Sequence, residues 1–252
     1  MAKKFQVNTA SGGSLTTNLV GYYKLDESSG NRADFYSTNN LTDVNTVAQD
    51  ASGIVNQAAI FNRAAEEELE ASADTVYDGF GDFSISCWLK TTSADNGMVC
   101  SKYNSAVGDG IYIGINGDAA NKASFSISSA LGTEYVVVRN TTNINGGAWQ
   151  HIVVTRTGNT VKIYYNTSDE TTAVSSAGTV DANISVSAIN FKIGGAIVAA
   201  HNLTGSVDEM GIWTKVLSTN EITDLYNGGA GNTMISTDES GFLNFMGPQP
   251  QQ

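Results

Sequence analysis

Trp149-Gln-His-Ile-Val-Val-Thr-Arg-Thr-Gly-Asn-Thr-Val-Lys-Ile-Tyr-Tyr165 is the stretch that decides the fold. Two runs rich in Val, Ile, Thr and Tyr flank Gly158-Asn159. That dipeptide supplies the positive backbone angles of a two-residue hairpin turn. Pairing outward from the turn sets Thr157 opposite Thr160, Val154 opposite Ile163 and Ile152 opposite Tyr165. One face then carries Ile152, Val154, Val161, Ile163 and Tyr165 and is apolar; the other carries His151, Thr155, Lys162 and Tyr164 and is mostly polar. A slip of one residue would exchange the faces, so turn and pattern fix the register together. The hairpin declares an antiparallel sheet with one buried face.

The same vocabulary recurs at short spacing. Leu19–Leu25, Ala58–Phe61, Phe83–Lys90, Met98–Lys102, Gly110–Ile115, Ala123–Ser128, Tyr135–Arg139 and Gly205–Trp213 are strand-like, and Gly and Asn do the turning because the only prolines are Pro248 and Pro250. Many short strands without αβ alternation predict an all-β sandwich or barrel, and such folds reach 252 residues as one unit. One helix is announced at about 218–227. Ser218 is its N-cap, Glu221 completes a capping box, Leu217 and Ile222 form a staple, and Gly228 or Gly229 ends it. Residues 1–18 are polar and read as an arm. Residues 230–252 form a tail in which Phe242, Leu243, Phe245 and Met246 need a surface to pack on.

A net charge of −12 argues against a nucleic-acid binder, which needs a basic patch, and against an anionic membrane surface. Charged residues are 15% of the chain, so Ser, Thr, Asn and Gly must supply the polar surface. Cys87 and Cys100 do not make a disulfide framework and are expected as buried thiols. The N-terminus has no apolar signal region, and no run approaches the about 20 residues of a membrane span. The expectation is a protein made in the cytoplasm that leaves, if at all, by assembly or lysis.

Six segments in order resemble the laminin-G-like domains of the concanavalin A-like lectin/glucanase superfamily. They are Gly21-Tyr-Tyr-Lys-Leu-Asp-Glu-Ser-Ser-Gly30, Ala58-Ala-Ile-Phe61, Phe83-Ser-Ile-Ser-Cys-Trp-Leu-Lys90, Trp149 to Arg156, Val161 to Tyr165, and Gly205-Ser-Val-Asp-Glu-Met-Gly-Ile-Trp213 with the capped helix after it. The resemblance spans residues 19–229 and implies a jelly-roll sandwich of two antiparallel sheets. Laminin-G-like domains often hold calcium, and the resemblance points to Asp34 and Asp208 as its ligands. The alternative is that Asp34 caps a turn and Asp208 pairs locally. Phe35 and Tyr36 stand where the family's loop has small residues.

Catalysis finds little support. His151 has no nucleophile motif beside it and reads as structural; His201 reads as a solvated loop residue. The superfamily's glucanases carry Glu-x-Asp-x-x-Glu on one strand, and this chain lacks it. Glu66-Glu-Glu-Leu-Glu70 reads as a solvated edge or loop, and adjacent Asp208 and Glu209 would point to opposite faces of a strand. Tyr36, Tyr77, Phe80 and Tyr103 are the loop aromatics available as a sugar platform. The expected function is a non-enzymatic structural and adhesion module of a virion surface. It would contact other structural subunits through its arms and could bind surface glycans. A free carbohydrate-binding lectin is the alternative, and a glycan-cleaving enzyme stands behind both.

Overall fold

The computed structural model describes residues 15–234 except 72, 74, 131, 185, 187, 188 and 197. Most of the expected arm (1–18) and tail (230–252), with Phe242, Leu243, Phe245 and Met246, lies outside the described residues. The chain runs through β1 (Leu19–Tyr23), β2 (Leu41–Val44), β3 (Ala48–Asp50), β4 (Ala58–Phe61), β5 (Glu68–Ala71), β6 (Phe83–Lys90), β7 (Gly97–Asn104) and β8 (Asp109–Ile115). Next come β9 (Ala123–Ala130), β10 (Glu134–Arg139), β11 (Gln150–Thr157), β12 (Thr160–Tyr165), β13 (Ser168–Asp169), β14 (Thr172–Ala177), β15 (Lys192–Ile193), β16 (Gly205–Trp213) and α1 (Thr219–Tyr226).

Two eight-stranded sheets result. The first has the order β13-β12-β11-β6-β16-β4-β3, with β1 also on β16; the second has the order β14-β10-β9-β8-β7-β15-β5-β2. Their pairings are antiparallel. The β11–β12 hairpin has the expected register, Ile152↔Tyr165, Val154↔Ile163 and Thr157↔Thr160. In its turn Gly158 takes a positive φ of 55° and Asn159 does not, so glycine's freedom is used at the first central position only.

Inward side chains of both sheets form one core. Ile85, Leu89, Ile152, Val154, Ile163 and Ile212 of the first sheet meet Val99, Ile111, Ile113, Phe125, Ile127 and Val138 of the second. Cys87 and Cys100 lie in this core as unbonded thiols. Burial pushes Cys100 up to about 12 and raises Cys87 as well, so neither is a ready nucleophile.

A second apolar cluster covers the other face of the first sheet. Ile222 and Leu225 of α1 pack with Leu217 on Leu19, Tyr22, Val153, Tyr164 and Trp213. The capping box is formed: Glu221 N–H donates to Ser218 Oγ at 3.3 Å, and Ser218 N–H donates to Glu221 Oε2 at 2.9 Å. The helix ends one residue before the expected glycines, because Asn227 adopts the left-handed conformation at φ 47°. Among the described residues no helix is long and apolar enough to cross a membrane.

The first sheet is thus covered on both faces, and the second sheet on its inner face. Phe125 is fully buried and meets Phe83 edge-on at 6.0 Å between ring centroids. Phe125→Ala is expected to cost about 3–5 kcal/mol. Urea unfolding would read this as a lower midpoint with an unchanged slope; a midpoint equal to the parent's would contradict the packing described.

Candidate functional site

The uncovered face of the second sheet is built by strict alternation. In Gly110-Ile-Tyr-Ile-Gly-Ile115 and Ala123-Ser-Phe-Ser-Ile-Ser128, the core takes Ile111, Ile113, Ile115, Phe125 and Ile127. The other face therefore receives Gly110, Tyr112, Gly114, Ser124, Ser126 and Ser128. Tyr112 pairs with Ser126 on one side and Ser101 on the other, and Gly114 with Ser124 and Met98. Glycine and serine lack bulk, so the sheet sinks between its taller neighbours.

The resulting groove holds about 430 Å³, within the range of small-molecule sites. Met98, Tyr103 and Tyr112 stand on one side, Val137, Val174 and Ser175 on another, and Asn96, Asp118, Val198 and His201 at the ends of loops. Tyr103 and Tyr112 meet at 5.4 Å and 74°, an edge-to-face arrangement that fixes both rings. Asn96 Oδ1 is buried without a hydrogen-bond partner. Arg139 Nη1 donates to Asp118 Oδ2 at 3.2 Å, and Ser101 Oγ donates to the Gly195 carbonyl at 2.7 Å.

Of the four aromatics singled out in the sequence, Tyr103 lines this groove. Tyr77 and Phe80 belong to the core, where Tyr77 bonds the Tyr23 hydroxyl at 2.7 Å. A Cβ on Gly21 would lie 1.9 Å from the Tyr77 hydroxyl, which is why glycine stands there. Tyr36 packs against the cluster under α1. Tyr112 escaped the loop-based search because it sits in a strand, although its flanking glycines already mark a recess. His201 is a groove residue on a short 3-10 turn, Ala199–His201, rather than a merely solvated one.

Asp34 is 6% exposed and serves the chain itself. Its Oδ1 accepts the backbone N–H groups of Tyr22, Tyr36 and Ser37, each at 3.0 Å, and its Oδ2 accepts the Ser37 hydroxyl. Asp208 is fully buried; its Oδ2 accepts Ile54 N–H at 2.8 Å and Val55 N–H at 3.1 Å, and its Oδ1 accepts Glu209 N–H at 2.9 Å. Calcium asks for about six to eight oxygen ligands. Asp34 and Asp208 turn their oxygens to N–H and O–H donors, and among the described residues no group of three or more His, Cys, Asp and Glu is arranged for a metal ion. The two residues do not fit a calcium site.

Glu209 corrects the strand geometry expected for it. It has φ 49°, and the β16–β6 register jumps from Asp208↔Trp88 to Gly211↔Ser86, so two residues oppose one. This bulge breaks the alternation and puts Asp208 and Glu209 on the same side of the sheet. The Tyr22 hydroxyl, in the cluster under α1, donates to Glu209 Oε2, while Oε1 is buried without a partner. Burial pushes Asp208 up to about 8, against the pull of the Val55, Ile54 and Glu209 N–H groups. Burial also raises Glu209 well above its ordinary value; the Tyr22 hydroxyl opposes this, and Asp208 and Asp26 reinforce it. Asp208 has three N–H donors and Glu209 an orphan oxygen, so as the pair ionises the charge forms first on Asp208 and the proton stays on Glu209.

His151 is 1% exposed, with Ser86 Oγ 2.7 Å from Nε2 and the Asn166 carbonyl 3.3 Å from Nδ1. This resembles half of a nucleophile–base pair. The ring, however, lies 5.0 Å from Trp88, and Tyr226 of α1 stacks on Trp88 at 5.6 Å. Burial lowers its pKa to about 4, leaving it neutral. Its partners assign Nδ1 as donor to Asn166 and Nε2 as acceptor from Ser86. The Glu66–Glu70 run is likewise not a solvated edge throughout, since Glu68 is buried in β5 and paired with Lys192.

A family model described as the concanavalin A-like lectin/glucanases superfamily matches residues 63–223. No curated protein matches the chain in sequence. Among solved structures, the chain is similar to the binding domain of Paraclostridial Mosquitocidal Protein 1, at TM-score 0.68 and 14% identity over 86% of this chain and 53% of that one. It is similar to Trypanosoma rangeli sialidase in complex with a difluoro-nononic acid, at TM-score 0.61 and 13% identity over 86% and 34%. It is also similar to domain 4 of AbnA, an extracellular arabinanase from Geobacillus stearothermophilus, in complex with arabinotriose, at TM-score 0.55 and 15% identity over 82% and 97%. The chain spans about half of the toxin domain and about a third of the sialidase. At these identities the likeness is one of fold.

The buried acid pair has a consequence for stability. Between the unfolded carboxyl range, about pH 4, and the folded value of about 8 for Asp208, the folded chain keeps protons that the unfolded chain releases. Stability contributed by the pair is therefore present at low pH and lost as pH rises through that window. Glu209→Gln keeps an acceptor for Tyr22 and removes one titrating group. Thermal melts are expected to show a higher Tm for the variant than for the parent at pH 8, and a smaller difference at pH 5; parallel pH profiles would contradict the coupling.

Proposed function

The chain belongs to the concanavalin A-like lectin/glucanases superfamily, and from that premise we propose that it is a non-catalytic glycan-binding module. Its recognition surface is the groove on the outer face of the second sheet. The observation that carries the reading is the floor of Gly114 and Ser124 beside Tyr103 and Tyr112, with the unpartnered Asn96 Oδ1 at its end. A sugar ring offers C–H groups to a flat aromatic and hydroxyls to short polar side chains, and tyrosine gives rigid contact area at low entropic cost. The arabinotriose held by the arabinanase domain, which this chain matches over 97% of that domain's length, supports a sugar ligand on a fold of this kind.

Absence of catalysis in this reading follows from the lining. Among the described residues Asp118 is its single carboxylate, and it is engaged by Arg139. Glycoside cleavage in most families needs two carboxyl groups facing the scissile bond. The paired carboxylates that the chain does own, Asp208 and Glu209, are buried under the other sheet face.

A finer placement, at a virion surface, rests on the composition alone: 15% charged residues and a Ser/Thr/Asn-rich chain. Particles purified from the source lysate are expected to carry the chain; recovery solely as free protein would leave the free-lectin reading.

Tyr112→Ala removes the central ring without touching the core. Calorimetric titration with a panel of oligosaccharides is expected to show at least a tenfold loss of affinity, about 1.4 kcal/mol, with Tm little changed and no effect of EDTA. Undiminished binding by the variant would move recognition away from this groove.

A further inference from the structure

We infer that the groove selects uncharged glycans and discriminates against sugars bearing carboxylate or sulfate groups; the inference rests on the glycan-binding reading of this same groove. Among the described residues no Lys or Arg lines it, and apart from the hydroxyls of Tyr103 and Tyr112 its ionisable side chains are Asp118 and His201. Arg139 is next to it by register, paired with Ser124 across β10 and β9, and its guanidinium is held by Asp118 at 3.2 Å. Arg63 reaches the Asn202 carbonyl at 3.0 Å, just after the turn that carries His201, and faces Asp95 at 3.5 Å. Lys102 lies on β7 but is 2% exposed and bound to Asp78 at 3.1 Å on the inner side. Arg139, Arg63 and Lys102 thus each come with an aspartate; Lys192, beside Ser101 by register, is held by Glu68, and Lys122, in the loop after Asp118, donates to the Thr141 carbonyl and to Asn143 Oδ1.

The neighbourhood also carries acids without such compensation. Burial raises Asp109, at the start of β8, and the nearby charges of Asp181 and Glu134 raise it further. Asp109 in turn adds to the raised pKa of Tyr103, behind burial and Tyr112. A carboxylated sugar entering this site would give up hydration, meet no uncommitted cation, and face the field of these acids. An uncharged sugar meets hydroxyls, amides and rings. Ser101, Ser124, Ser175 and Asn96 line the groove without adding charge.

Matched probes separate the two cases by calorimetry at pH 7.5. Galactotriose against trigalacturonate, and lactose against 3′-sialyllactose, differ in their acidic groups; arabinotriose extends the neutral set. Binding of at least one neutral probe, with its acidic counterpart at least tenfold weaker, is the expected result. Asp118→Asn uncouples Arg139 at the rim of the groove, and it is expected to narrow the ratio of neutral to acidic affinity at least threefold, whatever it does to neutral affinity itself. Acidic probes binding as tightly as their neutral partners would overturn the charge selection and leave the glycan reading standing. A variant that leaves the ratio unchanged would remove the commitment of Arg139 as its cause and overturn the inference as argued. Failure of every probe on the parent would overturn the glycan reading, and the inference with it.

Discussion

Every strand in a sandwich has two faces, and what covers each face decides what its residues can do. The inner faces of both sheets meet in one core, anchored by such pairs as Phe83 and Phe125. The outer face of the first sheet is then sealed a second time by α1 and the cluster around Tyr22 and Trp213. The outer face of the second sheet holds the groove instead. That asymmetry governs where polar chemistry survives. On the sealed side, polar groups are bound internally or shifted, as the neutral His151 and the raised Asp208 show. On the other sheet, short polar side chains such as Ser124 and Ser175 line the groove.

The bulge in β16 illustrates the cost of the sealed side. One extra residue at Glu209 turns a second carboxyl toward the side that already holds Asp208, and both are nearly out of water. Three backbone N–H groups stabilise the charge on Asp208. Nothing comparable serves Glu209, whose Oε1 lacks a partner. The pair therefore ionises in order, Asp208 first with the proton still held on Glu209, as expected when two carboxyls share a desolvated space.

Much of the fold was legible in the sequence because a period of two is a strong signal when one face is buried. The hairpin register follows from Gly158 and the Val/Ile alternation, and the helix start from Ser218 and Glu221. The groove was half legible. Gly110 to Ile115 and Ala123 to Ser128 already announce a floor of small residues with Tyr112 in it. Asn96, Val198 and His201 were not legible as groove residues, because loops and a short turn bring them there across non-consecutive strands. Asp208 and Glu209 misled for a related reason: a bulge inserts a residue without changing residue types, so alternation assigned the wrong side. Tyr77 and Phe80 misled because their loop folds back on the sandwich, fixed by the Phe80↔Ile184 bridge and by contact between the two rings at 5.9 Å.

Placement of the carboxylates also bears on the proposal that this lectin/glucanase fold binds a sugar without cleaving it. Cleavage needs acids that are partly desolvated yet in reach of the sugar. Here the desolvated acids, Asp208 and Glu209, lie on the sealed sheet, and the acid within reach, Asp118, is solitary and held by Arg139. The Gly and Ser residues that open the groove leave no carboxylate on its floor. Converting this surface to catalysis would require two new acids on β8 or β9 where glycine and serine now stand, and each would narrow the recess proposed to admit a sugar.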